Sequence, residues 1–344
     1  MRKLLNTLYV TTPDSYLHLD GENIVIRIDD DEKFRIPFVN VESIVCFGYK
    51  GVSPALMGKC ADVNVALSFI SPNSGRFLAR VTGKTTGSVF LRKKQYALSD
   101  DSGFCLDFAK SIVAAKIFNS RYSIEKTIRD NKEKIDVANL EEKSQLLKDG
   151  LTQVYSYDNK NELRGFEGMT SKQYFRVFDD MILQQKERFY FKERSKRPPL
   201  DNVNCMLSYL YTILSFDISA ALETVGIDPY VGFYHELRSG RASLSVDLIE
   251  ELRSYMVDRF VISMINLKKI NHKDFISKEG GAILMTDDGR KKILTAWQER
   301  KKERIIHPYI NEKIEIGLIP YVQAQLLARF IRGDMGEYPP FLCK

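Results

Sequence analysis

In Gly232-Phe-Tyr-His-Glu-Leu-Arg-Ser-Gly-Arg-Ala-Ser-Leu-Ser-Val-Asp-Leu-Ile-Glu250, one histidine stands just ahead of two carboxylates at helical spacing. Leu244, Val246, Leu248, Ile249 and Leu252 recur among polar residues with roughly helical period, so an amphipathic helix is expected from Ser243, with Ser243 as its N-cap. Asp247 and Glu250 are then one turn apart on the same face. The small polar loop Arg238-Ser-Gly-Arg241 can fold His235 back toward the start of that helix. Glu251 points about 100° further round and is set aside. An imidazole and two carboxylates suit a divalent ion; hydrogen-bonded histidines and solvated acid pairs are the ordinary alternative.

A second acidic candidate is Glu167, between Phe166 and Gly168 near the expected start of a helix running through Tyr174, Phe175 and Phe178. A glutamate among apolar residues is costly unless it is paired or metal-bound. An exposed glutamate favoured by the helix dipole is the competing explanation.

Two architectural parts must position these groups. Leu4 to Val10, Ser15 to Asp20, Asn23 to Ile28, Lys33 to Phe38, Glu42 to Phe47 and Val65 to Ile70 are short β-branched and aromatic runs, and they read as hairpin strands. Ser53 to Ala61 reads as a short helix. Beyond a polar seam at Ala97 to Gly103 the pattern is almost wholly helical, at 104–130, 140–155, 162–183, 201–222, 243–267, 289–304 and 313–332. The expected fold class is therefore α+β, with a β-rich N-terminal domain at 1–97 and a larger α-helical domain at 98–344.

The chain has 344 residues, enough for two domains with cores of their own. Its formal charge of +6 permits a polyanionic partner. No acid occurs from Val63 to Ser99, where Arg76, Arg80, Lys84, Arg92, Lys93 and Lys94 stand; in a chain with 28% charged residues this points to phosphate backbone. The mixed-charge clusters 186–197 and 290–304 read as ordinary helix faces, and Phe189-Tyr-Phe191 as core. No apolar run approaches the roughly 18 residues of a membrane span, and no signal peptide is expected. Five widely spaced cysteines suggest a reducing, cytoplasmic setting without a zinc knuckle.

In order and spacing, Arg92-Lys-Lys-Gln-Tyr96, Lys116-Ile-Phe-Asn119, Gly165-Phe-Glu-Gly168, Arg197-Pro-Pro-Leu-Asp-Asn202, Leu207-Ser-Tyr-Leu-Tyr211, Gly232-Phe-Tyr-His235, Asp247-Leu-Ile-Glu250, Gln323-Ala324 and Tyr338-Pro-Pro-Phe341 resemble the CRISPR-associated adaptation endonuclease family, the integrase that inserts new spacers into CRISPR arrays. The resemblance implies catalytic residues Glu167, His235, Asp247 and Glu250. It implies Mg2+ or Mn2+ held by Glu167, His235 and Glu250, with the division of roles between Asp247 and Glu250 open. The chemistry implied is attack of a DNA 3′-hydroxyl on a phosphodiester. The implied partners are double-stranded DNA (prespacer and CRISPR repeat), a second copy of the chain in a homodimer, and a small CRISPR-associated protein completing a heterohexamer-like complex. For DNA contacts it points to Arg76, Arg80, Arg92, Tyr174 and Tyr209. A branched-DNA repair nuclease and a noncatalytic DNA-binding scaffold are the rival expectations.

Overall fold

The computed structural model describes residues 6–343 apart from 13, 30, 42, 49, 64, 72–76, 82 and 84–88, with the side chain of Phe77 also excluded. Two compact units form, one from 1–86, 290–305 and 313–319, the other from 87–289, 306–312 and 320–344.

In the first unit, β1 (Thr7–Val10), β5 (Ser43–Phe47), β6 (Ala66–Ile70) and β7 (Phe77–Val81) form one sheet in the order β1-β5-β6-β7, while β2 (Ser15–Asp20), β3 (Asn23–Ile28) and β4 (Asp31–Pro37) form an antiparallel meander. The meander is the hairpin arrangement expected from Asp20-Gly21 and the 29–31 turn. The other strands depart from it, since β1, β5 and β6 are mutually parallel. Parallel neighbours need a crossover. Between β5 and β6 this is helix α1 (Pro54–Asp62), started by Ser53, whose hydroxyl accepts from the Leu56 amide at 3.3 Å, and by Pro54 in the first turn. Ile24, Ile26, Ile44, Leu56 and Leu67 pack into the shared core. Strand β7, which pairs antiparallel with β6, was not expected. The chain later returns to this unit, where α9 (Asp287–Lys302) buries Ile293, Leu294 and Trp297, and Gln298 donates to the Thr7 carbonyl at 2.9 Å.

The second unit is helical. Its axis is the 30-residue α3 (Ser102–Asn131), capped by the Asp101 carboxylate on the Phe104 amide and packed against α4 (Val137–Gln153), α5 (Lys160–Arg176) and α7 (Ser243–Arg253). The polar stretch expected as the seam is the corner between α2 (Val89–Ser99) and α3, inside this unit. Helix α6 (Asn202–Thr224), capped by Asp201, lies beside α7 with Leu207, Leu210, Leu214 and Ile218 buried. By length and composition alone it is apolar enough to cross a membrane, although serines and Asp217 interrupt its apolar residues; 61% of its most apolar stretch is buried within the protein. Expected helices also break. The 162–183 segment leaves the α-helix at Arg176, and 243–267 runs as α7, a π turn at Ser254–Asp258, and α8 (Arg259–Asn266). The 186–197 cluster is irregular backbone rather than a helix face; Phe189 and Phe191 are buried as expected, but Tyr190 between them is exposed.

All five cysteines are free and buried. Burial pushes the thiols of Cys46, Cys60 and Cys343 up to about 12. Ellman's reagent at about pH 8 should therefore label the native chain far more slowly than a free thiol and label every cysteine promptly in guanidinium chloride. Prompt labelling of the native chain would contradict this packing.

Candidate metal centre

Asp247 fixes the geometry of the centre. Its carboxylate is 0% exposed and accepts four hydrogen bonds, from the amides of Phe233 (2.8 Å) and Tyr234 (3.0 Å) on Oδ2, and from the amide (2.8 Å) and ring Nδ1 (2.7 Å) of His235 on Oδ1. An ionised carboxylate offers about four acceptor positions, and here they are all taken. Asp247 therefore shapes the 232–235 loop and orients the imidazole. A neutral ring that donates through Nδ1 keeps its Nε2 lone pair for another partner. Gly232 is required by the same approach, because a Cβ there would lie 2.7 Å from Asp247 Oδ2 and 2.8 Å from the Leu244 amide.

The loop is held from several sides. Gln95 on α2 donates to the carbonyls of Asp228 and Val231 and accepts from the Asp228 amide. Lys160 on α5 donates to the Phe233 carbonyl. The α7 start differs from expectation: Ser243 is the first helical residue rather than the cap, and its hydroxyl donates to the Glu236 carbonyl at 3.1 Å.

Glu167 lies two turns into α5 rather than at its start, so the helix dipole does not account for it. Its Oε1 accepts from Ser171 Oγ at 2.8 Å and from the Lys116 ammonium. The same ammonium stands 2.5 Å from Glu250 Oε2, joining α3, α5 and α7 at one point. Glu250 also pairs with Arg253 at 3.2 Å. Burial alone would raise its carboxyl, but Lys116 and Arg253 hold it well below the usual carboxylate range.

Behind Glu250, the Arg253 guanidinium stacks on Tyr211 and donates to its hydroxyl at 3.0 Å, and Tyr211 donates to the buried Asp258. Burial, with Arg253 and Arg194, pulls the Lys196 ammonium down, and Glu250 opposes this, so Lys196 joins Lys116 and Arg253 as a cation acting on Glu250. Lys116, Ser171, Arg253 and the Tyr211–Asp258 pair were not picked out as site residues from sequence. The available signal was a lysine within the apolar run Val113-Ala-Ala-Lys-Ile-Phe118 of a core helix.

Glu251 is turned to the tail: it accepts from the Tyr338 hydroxyl (2.6 Å), the Phe341 amide (2.6 Å) and Gln323. Of the residues expected at DNA, Arg76 lies outside the described residues. Arg80 is half-buried on β7, Tyr209 half-buried on α6, and Arg92 donates to the Gly226 carbonyl at 3.1 Å. Tyr174 is a correction. It is 2% exposed, with its ring packed against Phe175 and Phe178, which leaves no face for a base.

Among the described residues no three His, Cys, Asp or Glu side chains close together as a ready metal cage. The donor chemistry nevertheless fits a hard divalent ion: two carboxylates already meet at one cation, and the nearby imidazole is oriented by a carboxylate on its far nitrogen.

This defines an α+β protein whose helical unit carries a candidate divalent-cation centre. The family model described as CRISPR associated protein Cas1 matches residues 8–299, and the chain belongs to that family. It is 45% identical over 342 residues to CRISPR-associated endonuclease Cas1 1 of Chlorobaculum tepidum, covering 99% of both chains, and 43% identical to CRISPR-associated endonuclease Cas1 2 of Rhodospirillum rubrum, covering all of both. Its fold matches a casposase bound to integration product (TM-score 0.83, 22% identity, 96% of this chain and 92% of that one) and a CAS1 protein from Thermotoga maritima (TM-score 0.80, 20% identity, 98% and 100%).

Replacing Asp247 with Asn places amide hydrogens against the 233–235 donors. Chemical denaturation should show a loss of about 2–4 kcal/mol, against about 1 kcal/mol or less for His235→Ala, whose ring is 20% exposed. Equal losses would show that Asp247 does not hold the loop.

Proposed function

We propose that this chain is a metal-dependent DNA endonuclease and integrase of CRISPR adaptation, which joins short duplexes to the CRISPR array. The observation that carries this reading is the convergence of Glu167 and Glu250 on one cation, with the His235 ring, fixed by Asp247, near enough to act on Glu250. The relatives' name as CRISPR-associated endonucleases and the casposase neighbour's integration product support it. Glu167, His235 and Glu250 would hold Mg2+ or Mn2+, and Asp247 would position His235 without touching the ion. When bound, the ion supplies charge stabilisation at the phosphate undergoing in-line displacement.

The remaining work belongs to the chain. Lys196, Arg194 and Arg253 bring positive charge to a site that must accept phosphate, and Arg76 and Arg80 would contact the backbone without reading sequence. The incoming 3′-hydroxyl oxygen forms a bond to phosphorus as the target's own 3′-oxygen leaves, so bond count is conserved and no covalent enzyme intermediate is needed. A chain of this fold occurs within a Cas6–RT–Cas1–Cas2 complex (TM-score 0.81, 22% identity, 98% of this chain and 36% of that one), which supports work with a CRISPR-associated partner; that the chain does so as a homodimer is part of the same proposal.

Strand transfer tests this directly: purified chain with its partner, a short duplex with free 3′-hydroxyls, a supercoiled plasmid carrying the repeat, and Mn2+. Glu167→Gln, His235→Ala and Glu250→Gln should each lower joining by about 100-fold or more with DNA binding retained, and Asp247→Asn by about 10–100-fold. Junction cleavage without joining would favour a repair nuclease. Binding with neither joining nor nicking would make the site structural.

A further inference from the structure

Lys116 is outside the proposed ligand set, yet its ammonium occupies the point where the two carboxylates meet. The side chain is 6% exposed on α3, amid Ile112, Val113 and Ile117, and it bonds Glu167 Oε1 while standing 2.5 Å from Glu250 Oε2. We propose that Lys116 is a tethered counter-ion that holds the metal-free centre together, and that a divalent ion enters by exchange, displacing this ammonium from between Glu167 and Glu250. The proposal rests on the metal-site reading above and adds to it a residue that sets ion affinity.

Three observations support exchange over coexistence. An ion bonded at about 2.1 Å to the oxygens that now accept from the ammonium would overlap the lysine nitrogen, so both cannot occupy the gap. Each carboxylate keeps a second partner when the ammonium leaves, Ser171 Oγ on Glu167 and Arg253 on Glu250, so the pair stays in place. The ammonium sits on a flexible four-carbon stem, which lets it withdraw without moving α3. Other charges facing the gap are Arg253, Lys196 and, when protonated, His235. None of them bridges the two carboxylates.

A site occupied by its own cation binds an ion more weakly by the fraction of time the gap is open. Removing the ammonium should therefore tighten binding. The test is Mn2+ titration of full-length wild type, Lys116→Met, Lys116→Gln and Glu167→Gln, with free Mn2+ read by electron paramagnetic resonance and melting temperature recorded in chelator and in Mn2+. Lys116→Met and Lys116→Gln should bind Mn2+ about tenfold or more tighter than wild type. Both should melt below wild type in chelator and gain more from Mn2+. Unchanged or weaker binding in both variants, while Glu167→Gln abolishes binding, overturns the exchange and leaves the metal site standing. No Glu167-dependent binding in any protein overturns both. Variants that fold only with Mn2+ support exchange; variants that fold under neither condition overturn it, because an ion would then be unable to replace the ammonium.

Discussion

A single buried carboxylate organises this centre. Asp247 sits on a helix while its acceptors are spent on a loop 12 to 14 residues earlier in the chain, and the four bonds convert a flexible approach into a fixed one. Three successive amides pointing at one carboxylate are a small anion nest, and the fourth bond carries that order into the imidazole. Gly232 has no side chain because this approach leaves no room for one. Gln95, Lys160 and Ser243 then brace the loop from three other elements.

Charge compensation is the second constraint. Glu167 and Glu250 come from different helices and converge on one point while largely buried, an arrangement that is costly without a cation between them. Lys116 supplies it from α3, and Arg253 adds a second cation whose own position is set by Tyr211 and Asp258. The π turn at Ser254–Asp258 lies directly after Arg253, and both it and α7 pack against α3 and α6. Such local widenings are common at functional sites. Here it follows Arg253 and carries Asp258, which bonds Tyr211 behind Glu250.

Much of this was legible where local chemistry decides. The meander at 15–37 and the α1 helix follow from turn residues, β-branched runs and a Ser-Pro start, and their observed bounds differ from expectation by a residue or two. Parallel pairing of β1, β5 and β6 was not legible, because strand composition carries no direction. Nor was the return of α9 to the first unit, since amphipathic period shows that a face is buried but not against what. At the centre, His235 and the i, i+3 carboxylates were visible because their spacing is local. Lys116 is about 50 residues from one partner and 134 from the other, and only the folded chain shows that this lysine in an apolar run answers two acids. Tyr174 shows the opposite error: an aromatic expected to contact DNA belongs instead to the core.

The three acids at 247, 250 and 251 show how surroundings divide labour within a single turn of helix. Asp247 meets three amides and a ring nitrogen, so it becomes scaffold. Glu250 meets an ammonium and a guanidinium, which hold it ionised well below the usual range, and it stays a partner of cations. Glu251 turns the other way into a buried pocket. There burial pushes its carboxyl up to about 7 despite bonds from Tyr338, Phe341 and Gln323, and it anchors the tail. The same side-chain chemistry thus yields an orienting group, a cation-binding group and a tail anchor, separated by rotation about one helix axis. The i, i+3 spacing allows this: Asp247 and Glu250 stay on one face, close enough to serve one centre, while a full turn along the axis lets one address the loop and the other address the cation.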